Sequence, residues 1–245
     1  MIIDLHMHLD DSEFVGLDVS PRDCVAGMDR AGVDSAVVMT LVDFPGPNPA
    51  ALNLVAEACA ASHERLYGFA RLDPGPDGAL DLLRSAVTDL GFRGLKLHPV
   101  STRAHPADDA TIAIVRLAGE LGVPTLFHCG DDAMTAPLVL ADTAAACPDA
   151  TIVLGHMGGY YHVDEAIDVA QRHPNIVLET SAMPYPHKIR EAVDRIGAHR
   201  VVFGSDGPMA RPEVERQKIE FAGLSTDQTA LVLGGNAARL LGVSA

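Results

Sequence analysis

Eight short apolar segments rich in Val, Ile and Leu recur along the chain, and longer stretches of alanine-rich, helical composition separate them. Near-continuous apolar strands are typical of a parallel sheet that is covered by helices. The segments lie at Ile2–Leu9, Ser35–Leu41, Leu66–Leu72, Phe92–His98, Val123–Cys129, Thr151–Met157, Asn175–Ser181 and Val201–Asp206. This regular alternation predicts a single (β/α)8 barrel domain that occupies residues 1–245.

Helix signals in the intervening stretches support the same architecture. Ser20 is a capping residue placed before Pro21, and Gly32 follows an expected helix end. The predicted helices are Pro21–Ala31, Pro49–Ser62, Gly78–Leu90, Pro106–Leu121, Met134–Cys147, Val163–Arg172, Pro186–Ile196, Arg211–Ala222 and Thr226–Leu241. A doubly wound open sheet is the alternative, but the glycine-rich loop usual in that fold does not follow the first apolar segment.

Composition and charge exclude several other classes of protein. Hydrophobic residues make up 48% of the chain and charged residues 21%, and no apolar run approaches the roughly 20 residues of a membrane-spanning helix. The 33 acidic residues outnumber the 18 basic ones, for a net charge of −15, which disfavours nucleic acids and anionic membranes as partners. Four widely spaced cysteines and an N-terminus without a basic or long apolar segment predict a reduced, cytoplasmic protein.

The first apolar segment carries the most informative side chains. In a (β/α)8 barrel the active site lies at the carboxyl ends of the strands. Strict alternation would place Asp4, His6 and His8 on one face, pointing into the barrel. The opposite face, towards the helices, would carry Ile3, Leu5, Met7 and Leu9. Two imidazoles that are two residues apart can converge on one cation, whereas the structural alternative is a pair of hydrogen-bonded buried histidines.

Three later segments also end on polar side chains. His128 ends the fifth segment, His156 lies near the end of the sixth, and Asp206 ends the eighth. Each of them could be an ordinary polar group at a strand end, and Asp206 could cap the next helix. Together with the first pair of histidines, however, they form a set of imidazole and carboxylate ligands that suits zinc, iron or manganese.

Further polar residues near the strand ends are candidates for the pocket wall. Lys96 and His98 share the inward face of the fourth strand, where Lys96 needs a partner because a buried ammonium is costly. Arg71 could clamp a substrate carboxylate or pair with a nearby acid such as Asp73. Tyr160 could wall the pocket or lie on a surface loop. The seventh strand offers polar lining through Glu179 and Ser181.

The order of these residues resembles the amidohydrolase superfamily. The resemblance lies in the pattern His-x-His on the first strand, His on the fifth and sixth, and Asp on the eighth. The strings Ile3-Asp4-Leu5-His6-Met7-His8, Gly155-His156-Met157-Gly158-Gly159 and Phe203-Gly204-Ser205-Asp206 resemble the amidohydrolase-related branch that includes aminocarboxymuconate semialdehyde decarboxylase.

That resemblance implies roles for the individual residues. His6, His8, His128 and Asp206 would hold one divalent metal, most often Zn²⁺, with Mn²⁺ and Fe²⁺ as alternatives. Asp206 would also act as general base, and His156 as a proton shuttle beside the metal. Lys96 lies on the strand where other members carry a carboxylated lysine that bridges two metals, so the number of metal ions stays open.

We expect a metal-dependent hydrolase that acts on a C–N or C–O bond of a small molecule through metal-activated water. The alternative within the same superfamily is a metal-dependent decarboxylase of a small unsaturated or aromatic acid. A barrel that binds a ligand without turnover is the alternative from another class. Because the short chain leaves little room for a lid domain, a homodimer that completes the pocket also stays open.

Overall fold

Eight parallel strands form the centre of the computed structural model, which describes residues 1–10, 19–41 and 49–244. They are β1 (Ile3–Leu9), β2 (Ser35–Thr40), β3 (Leu66–Arg71), β4 (Gly94–Leu97), β5 (Thr125–His128), β6 (Ile152–Gly155), β7 (Ile176–Glu179) and β8 (Val201–Val202). They pair in chain order, and the Leu5 amide donates to the Phe203 carbonyl at 3.0 Å, which joins β1 to the end of β8. The predicted (β/α)8 barrel is confirmed.

Helices connect the strands and cover the outside of the barrel. In the described residues they are α1 (Pro21–Ala31), α2 (Pro49–Ala61), α3 (Ala79–Thr88), α4 (Pro99–Thr102), α5 (Asp109–Glu120), α6 (Pro137–Ala146), α7 (Val163–Arg172), α8 (Pro186–Ile196), α9 (Pro212–Phe221), α10 (Thr226–Ala230) and α11 (Asn236–Leu241). Ser20 caps α1 through its hydroxyl, as predicted. None of the helices described here is long and apolar enough to cross a bilayer.

Three predicted helices differ from the observed ones. The helix predicted from Met134 begins at Pro137. The helix predicted from Pro106 begins at Asp109, because Asp108 accepts a hydrogen bond from the amide of His105 and holds the preceding residues in a turn. The helix predicted over 226–241 is interrupted by a π-helical segment at Leu231–Gly235. Gly234 lies in that segment against the Met1 carbonyl, where any side chain would collide with the backbone.

The side chains of the strands pack into two apolar clusters. One cluster lies between the sheet and the surrounding helices. The other contains strand residues and side chains of α11. This helix covers the lower end of the barrel, opposite the carboxyl ends of the strands. The members of the second cluster are Ile3, Leu5, Val37, Met39, Phe69, Leu126, Val153, Val177, Val202, Ala237, Ala238 and Leu241. Because residues of seven strands meet in this second cluster, it is the core inside the barrel.

Strand β1 does not alternate regularly, and the face predicted for Ile3 and Leu5 is wrong, whereas that of Met7 and Leu9 is confirmed. Leu5 and His6 together span the single residue Val37 of β2, which makes a β-bulge. Ile3 and Leu5 therefore pack inside the barrel, while residues beyond the bulge, such as Met7, pack against the helices. The bulge brings His6 into line with the site at the top of the barrel.

Candidate active site

Two histidines of β1 and one aspartate after β8 converge at the carboxyl ends of the strands. Oδ1 of Asp206 lies 3.1 Å from Nε2 of His8 and 3.5 Å from Nε2 of His6. His156, which follows β6, offers a ring nitrogen close to both His6 and Asp206. The ligand atoms of these three residues lie within 4.8 Å of one another. His6, His156 and Asp206 thus form a compact group that could hold a metal ion.

Unusual backbone conformations place two of these side chains. His156 and Asp206 both have positive φ, at 66° and 57°, a conformation that is uncommon outside glycine. Hydrogen bonds hold each of them there, since the His156 amide donates to Glu179 at 3.1 Å and the Asp206 amide donates to the His6 carbonyl at 2.7 Å. Such strain is concentrated at functional sites in proteins.

His128 and His98 extend the imidazole cluster away from Asp206. His128 Nδ1 lies 3.1 Å from Nε2 of His156, and the His98 ring stacks on the His128 ring with 4.1 Å between centroids. His128 thus contacts the compact group through His156. The buried thiol of Cys129 packs in the outer cluster, and the four cysteines are free.

Glu179 at the end of β7 is the least expected member of the site. Its carboxylate is fully buried and lies 3.0 Å from Nδ1 of His6. It also accepts hydrogen bonds from the backbone and hydroxyl of Ser181 and from the His156 amide. Sequence reasoning named Glu179 only as polar lining, although its position after three apolar residues of β7 marks it as a strand-end residue.

Lys96 and Arg71 add positive charge beneath the rim. Nζ of Lys96 lies 3.0 Å from Nε2 of His6, and both residues are fully buried. Arg71 donates to the Thr40 carbonyl at 3.2 Å, and the same carbonyl lies 3.1 Å from Nδ1 of His8. The guanidinium therefore lies beside the imidazole cluster. The Thr40 carbonyl was not anticipated, because a backbone group leaves no sequence signal.

The remaining predicted residues lie farther from the cluster. Asp4 does not point towards the imidazoles; its carboxylate accepts from the amides of His6 and Ser205, and burial raises its pKa to about 7. Tyr160 follows the turn after His156, and about half of its surface is exposed. Its amide donates to Asp131 on the neighbouring loop.

Burial sets the protonation states of the cluster. It lowers the pKa of His6 well below the ordinary value, with the nearby Lys96 adding to the effect, and it lowers the pKa of His156 to about 4. Burial alone would raise the pKa of Asp206, yet the hydrogen bond to His8 and the neighbouring imidazoles hold it well below its usual range. Neutral imidazoles and an ionised carboxylate are the forms that bind cations.

The hydrogen bonds around His8 give a further test of whether a cation fits. A neutral imidazole has one N–H, so a neutral His8 can donate to the Thr40 carbonyl or to Asp206, but not to both. If Nδ1 donates to Thr40, Nε2 and Oδ1 of Asp206 face each other with two lone pairs. A positive species shared by these two atoms would satisfy both, so the donor set fits a divalent cation.

A profile of the amidohydrolase family matches residues 3–243, which is nearly the whole chain. The chain belongs to the amidohydrolase family. No curated protein matches this amidohydrolase in sequence.

Solved structures with the same fold cover almost the full length of this amidohydrolase. An uncharacterised TIM-barrel protein from Bordetella bronchiseptica is 22% identical over 98% of both chains, with a TM-score of 0.81. The 5-carboxyvanillate decarboxylase of Sphingomonas paucimobilis is 18% identical over 99% of both chains, with a TM-score of 0.77. A dihydroxybenzoic acid decarboxylase from Polaromonas, solved with manganese and 2-nitroresorcinol, is 19% identical over 98% of this chain and 96% of its own, with a TM-score of 0.73.

Proposed function

We propose that this amidohydrolase-family protein is a metal-dependent decarboxylase of a small aromatic or unsaturated carboxylic acid. Two of the structural relatives described above are named as decarboxylases of aromatic acids, and they match this chain over almost its whole length. These relatives favour a decarboxylase, the alternative drawn from the sequence, over a hydrolase, which was the first expectation. The observation in this chain that carries the proposal is the buried guanidinium of Arg71 beside the imidazole cluster.

Arg71 is suited to bind the carboxylate that the reaction removes. Its side chain is buried and is anchored on the Thr40 carbonyl that His8 also contacts. A guanidinium held beside a reaction centre favours an anionic substrate group, which it can bind through two parallel hydrogen bonds. The ammonium of Lys96 adds a second positive charge to the floor of the site, although the chain as a whole carries a net charge of −15. A neutral amide or lactone would not need this arrangement.

A single divalent cation is the second part of the proposal. We assign it to His6, His8, His128 and Asp206, with His156 beside it. When bound, such a cation would polarise oxygen substituents of the substrate and stabilise negative charge as it develops. The ammonium of Lys96 lies 3.0 Å from Nε2 of His6 and would have to leave that nitrogen when a cation binds there.

The protein side chains would then guide the bond cleavage. The bond between the carboxyl carbon and its neighbour breaks, CO₂ leaves without the electron pair, and the carbon that keeps the pair takes up a proton. Asp206 can hold that proton on its other carboxylate oxygen, since Oδ1 lies next to Nε2 of His8 and faces the cation. His156 offers a ring nitrogen close to His6 and Asp206 and can act as the proton shuttle.

Product analysis tests the proposal. Protein purified without chelator and supplied with Mn²⁺ or Zn²⁺ would be incubated with hydroxylated benzoic acids and, in parallel, with small amides and lactones. We expect CO₂ release from a member of the acid series, with no such release by the Asp206→Asn variant. Release of amine or hydroxy acid from the second series, without CO₂ from the first, would overturn the proposal in favour of hydrolysis.

The assignment of ligands has its own test, because the compact group contains His156 whereas the family resemblance implies His128. His128→Asn and His156→Asn would each be loaded with Mn²⁺, and the bound metal would be measured. Loss of metal in His128→Asn with retention in His156→Asn supports the assignment. The opposite result would place His156 in the ligand set.

A further inference from the structure

The carboxylate of Glu179 joins the two imidazoles of the compact metal-binding group. It lies 3.0 Å from Nδ1 of His6. On the other side, the Ser181 hydroxyl donates to Glu179 at 2.9 Å and lies 2.9 Å from Nδ1 of His156. One buried acid is thus connected to both rings, directly to His6 and through one hydroxyl to His156.

These contacts determine which nitrogen of each ring carries the proton. A carboxylate only accepts, so Nδ1 of His6 is its donor, and the lone pair of a neutral His6 is on Nε2. Because the Ser181 hydroxyl already gives its proton to Glu179, its oxygen accepts from His156. Nδ1 of His156 is therefore protonated too, and its lone pair is likewise on Nε2.

Contacts at the opposite nitrogens agree with this assignment, since Nε2 of His156 lies 3.1 Å from Nδ1 of His128, which can donate to it. Nε2 of His6 lies 3.0 Å from the ammonium of Lys96, which can only donate. The same Nε2 lies 3.5 Å from Oδ1 of Asp206, so it faces the proposed metal position.

The neighbouring strands leave room for the acid. A side chain at Gly204 would collide with Oε1 of Glu179 and come within 3.0 Å of Cβ of His6. At Gly155, an added Cβ would lie 3.5 Å from Oε2 of Glu179 and closer still to the Phe127 carbonyl. Glycine at position 204 therefore allows Glu179 to be buried beside the imidazoles, whereas at Gly155 the conflict would be with the Phe127 carbonyl. A residue that served only as polar lining would not need this space.

We infer that Glu179 is the positioning residue of the metal site: it fixes the Nδ1–H tautomer of His6 directly and that of His156 through Ser181, so that Nε2 of His6 faces the cation and Nε2 of His156 carries its lone pair towards Nδ1 of His128. This inference rests on the proposed function only in assuming that a divalent cation binds here. Partners that fix ring orientation in this way typically contribute about 10- to 100-fold to metal affinity.

The first experiment uses the unaltered, metal-free protein with ¹⁵N-labelled histidine. Nitrogen chemical shifts distinguish a protonated ring nitrogen from an unprotonated one. We expect His6 and His156 both to be protonated at Nδ1 and unprotonated at Nε2. A proton on Nε2 of His6 would overturn the inference, and this reading does not depend on whether any variant folds.

The second experiment measures Zn²⁺ affinity by competition with a chelator, for four variants. Glu179→Met removes the acceptor, and we expect its affinity to fall about 10- to 100-fold. Glu179→Gln keeps one acceptor oxygen and should lose less. Ser181→Ala should change the tautomer signature of His156 and leave that of His6 unchanged.

The matched control is Glu215→Gln. Glu215 is another buried carboxylate, which pairs with Lys218 and accepts from the Ala182 amide, and it has none of the Glu179 contacts to imidazole nitrogens. Its variant should bind Zn²⁺ as the unaltered protein does. Unchanged Zn²⁺ affinity in folded Glu179→Met would contradict the inference. Neither readout needs turnover, so an absence of CO₂ release would bear on the proposed reaction alone.

Discussion

The lower and upper halves of the barrel interior are built from the same strands but from opposite kinds of side chain. On β3, Phe69 packs in the inner core and Arg71, two residues later, lies beside the imidazole cluster. On β7, Val177 belongs to the core and Glu179 to the site. Side chains two residues apart on a strand share a face. Two residues along the strand are therefore enough to pass from the apolar core to the polar site.

This contrast shows how stability and function are divided within one barrel. The lower half buries hydrocarbon and contributes to the free energy of folding. The upper half buries charged and polar groups, which are costly unless each one finds a partner. Substitutions in the lower half should therefore change the free energy of unfolding, and substitutions in the upper half should change metal binding and turnover.

The largest effect is expected in the upper half, from Asp206→Asn. The substitution preserves shape and removes the group that holds the proton, so kcat should fall by about 10²- to 10⁴-fold. Thermal unfolding should change little, because Asp206 is at the rim and its side chain is partly exposed. A variant that turned over at a near-normal rate would remove Asp206 from the mechanism.

Phe69→Ala probes the lower half. The ring is fully buried and packs directly against Gly94. A side chain at position 94 would collide with it. Loss of the ring should lower the free energy of unfolding by about 3–5 kcal/mol, as measured by denaturant titration. Metal affinity of the folded fraction should stay the same. A large loss of metal affinity would mean that the two halves are not independent.

A smaller effect is expected from Arg71→Gln. Removing the guanidinium should lower kcat/KM about 10- to 100-fold, since a hydrogen bond to a charged group is worth about 1.5–3 kcal/mol. If Arg71 binds the substrate carboxylate, most of this change should appear in KM. Phe69→Ala serves as the comparison, because it should leave KM unchanged. An unaltered KM in Arg71→Gln would contradict the role proposed for this residue.

The smallest changes in KM are expected from substitutions in the loop after β6. Tyr160→Ala should raise KM a few-fold if this side chain walls the pocket. Tyr161→Ala is the matched control, because its side chain is 83% exposed, and its variant should change stability by no more than about 0.5 kcal/mol. Equal KM values for the two variants would exclude Tyr160 from the pocket.

The sequence predicts this fold well because the signals for it are local. Each strand is a short apolar run, and residues such as Ser20 mark the helix ends. The strand ends are equally visible, which is why His6 and Asp206 could be named as partners although 200 residues separate them.

The parts that were missed depend on contacts between distant segments. The bulge at Leu5 and His6 appears only when β1 is paired with β2, because two residues must oppose Val37. The role of Glu179 is likewise defined by contacts with β1 and with the segment after β6. A glutamate at the end of a strand has the same local pattern whether it lines a pocket or positions a ligand.

The proposed function depends most on one property of the site, the binding of one divalent cation by the side chains around Asp206. Elemental analysis of protein that was purified without chelator tests it most directly, with Asp206→Asn purified in parallel. We predict close to one Mn²⁺ or Zn²⁺ per chain in the unaltered protein and much less in the variant. Protein without metal, or a variant that retains the full amount, would contradict the proposed metal binding.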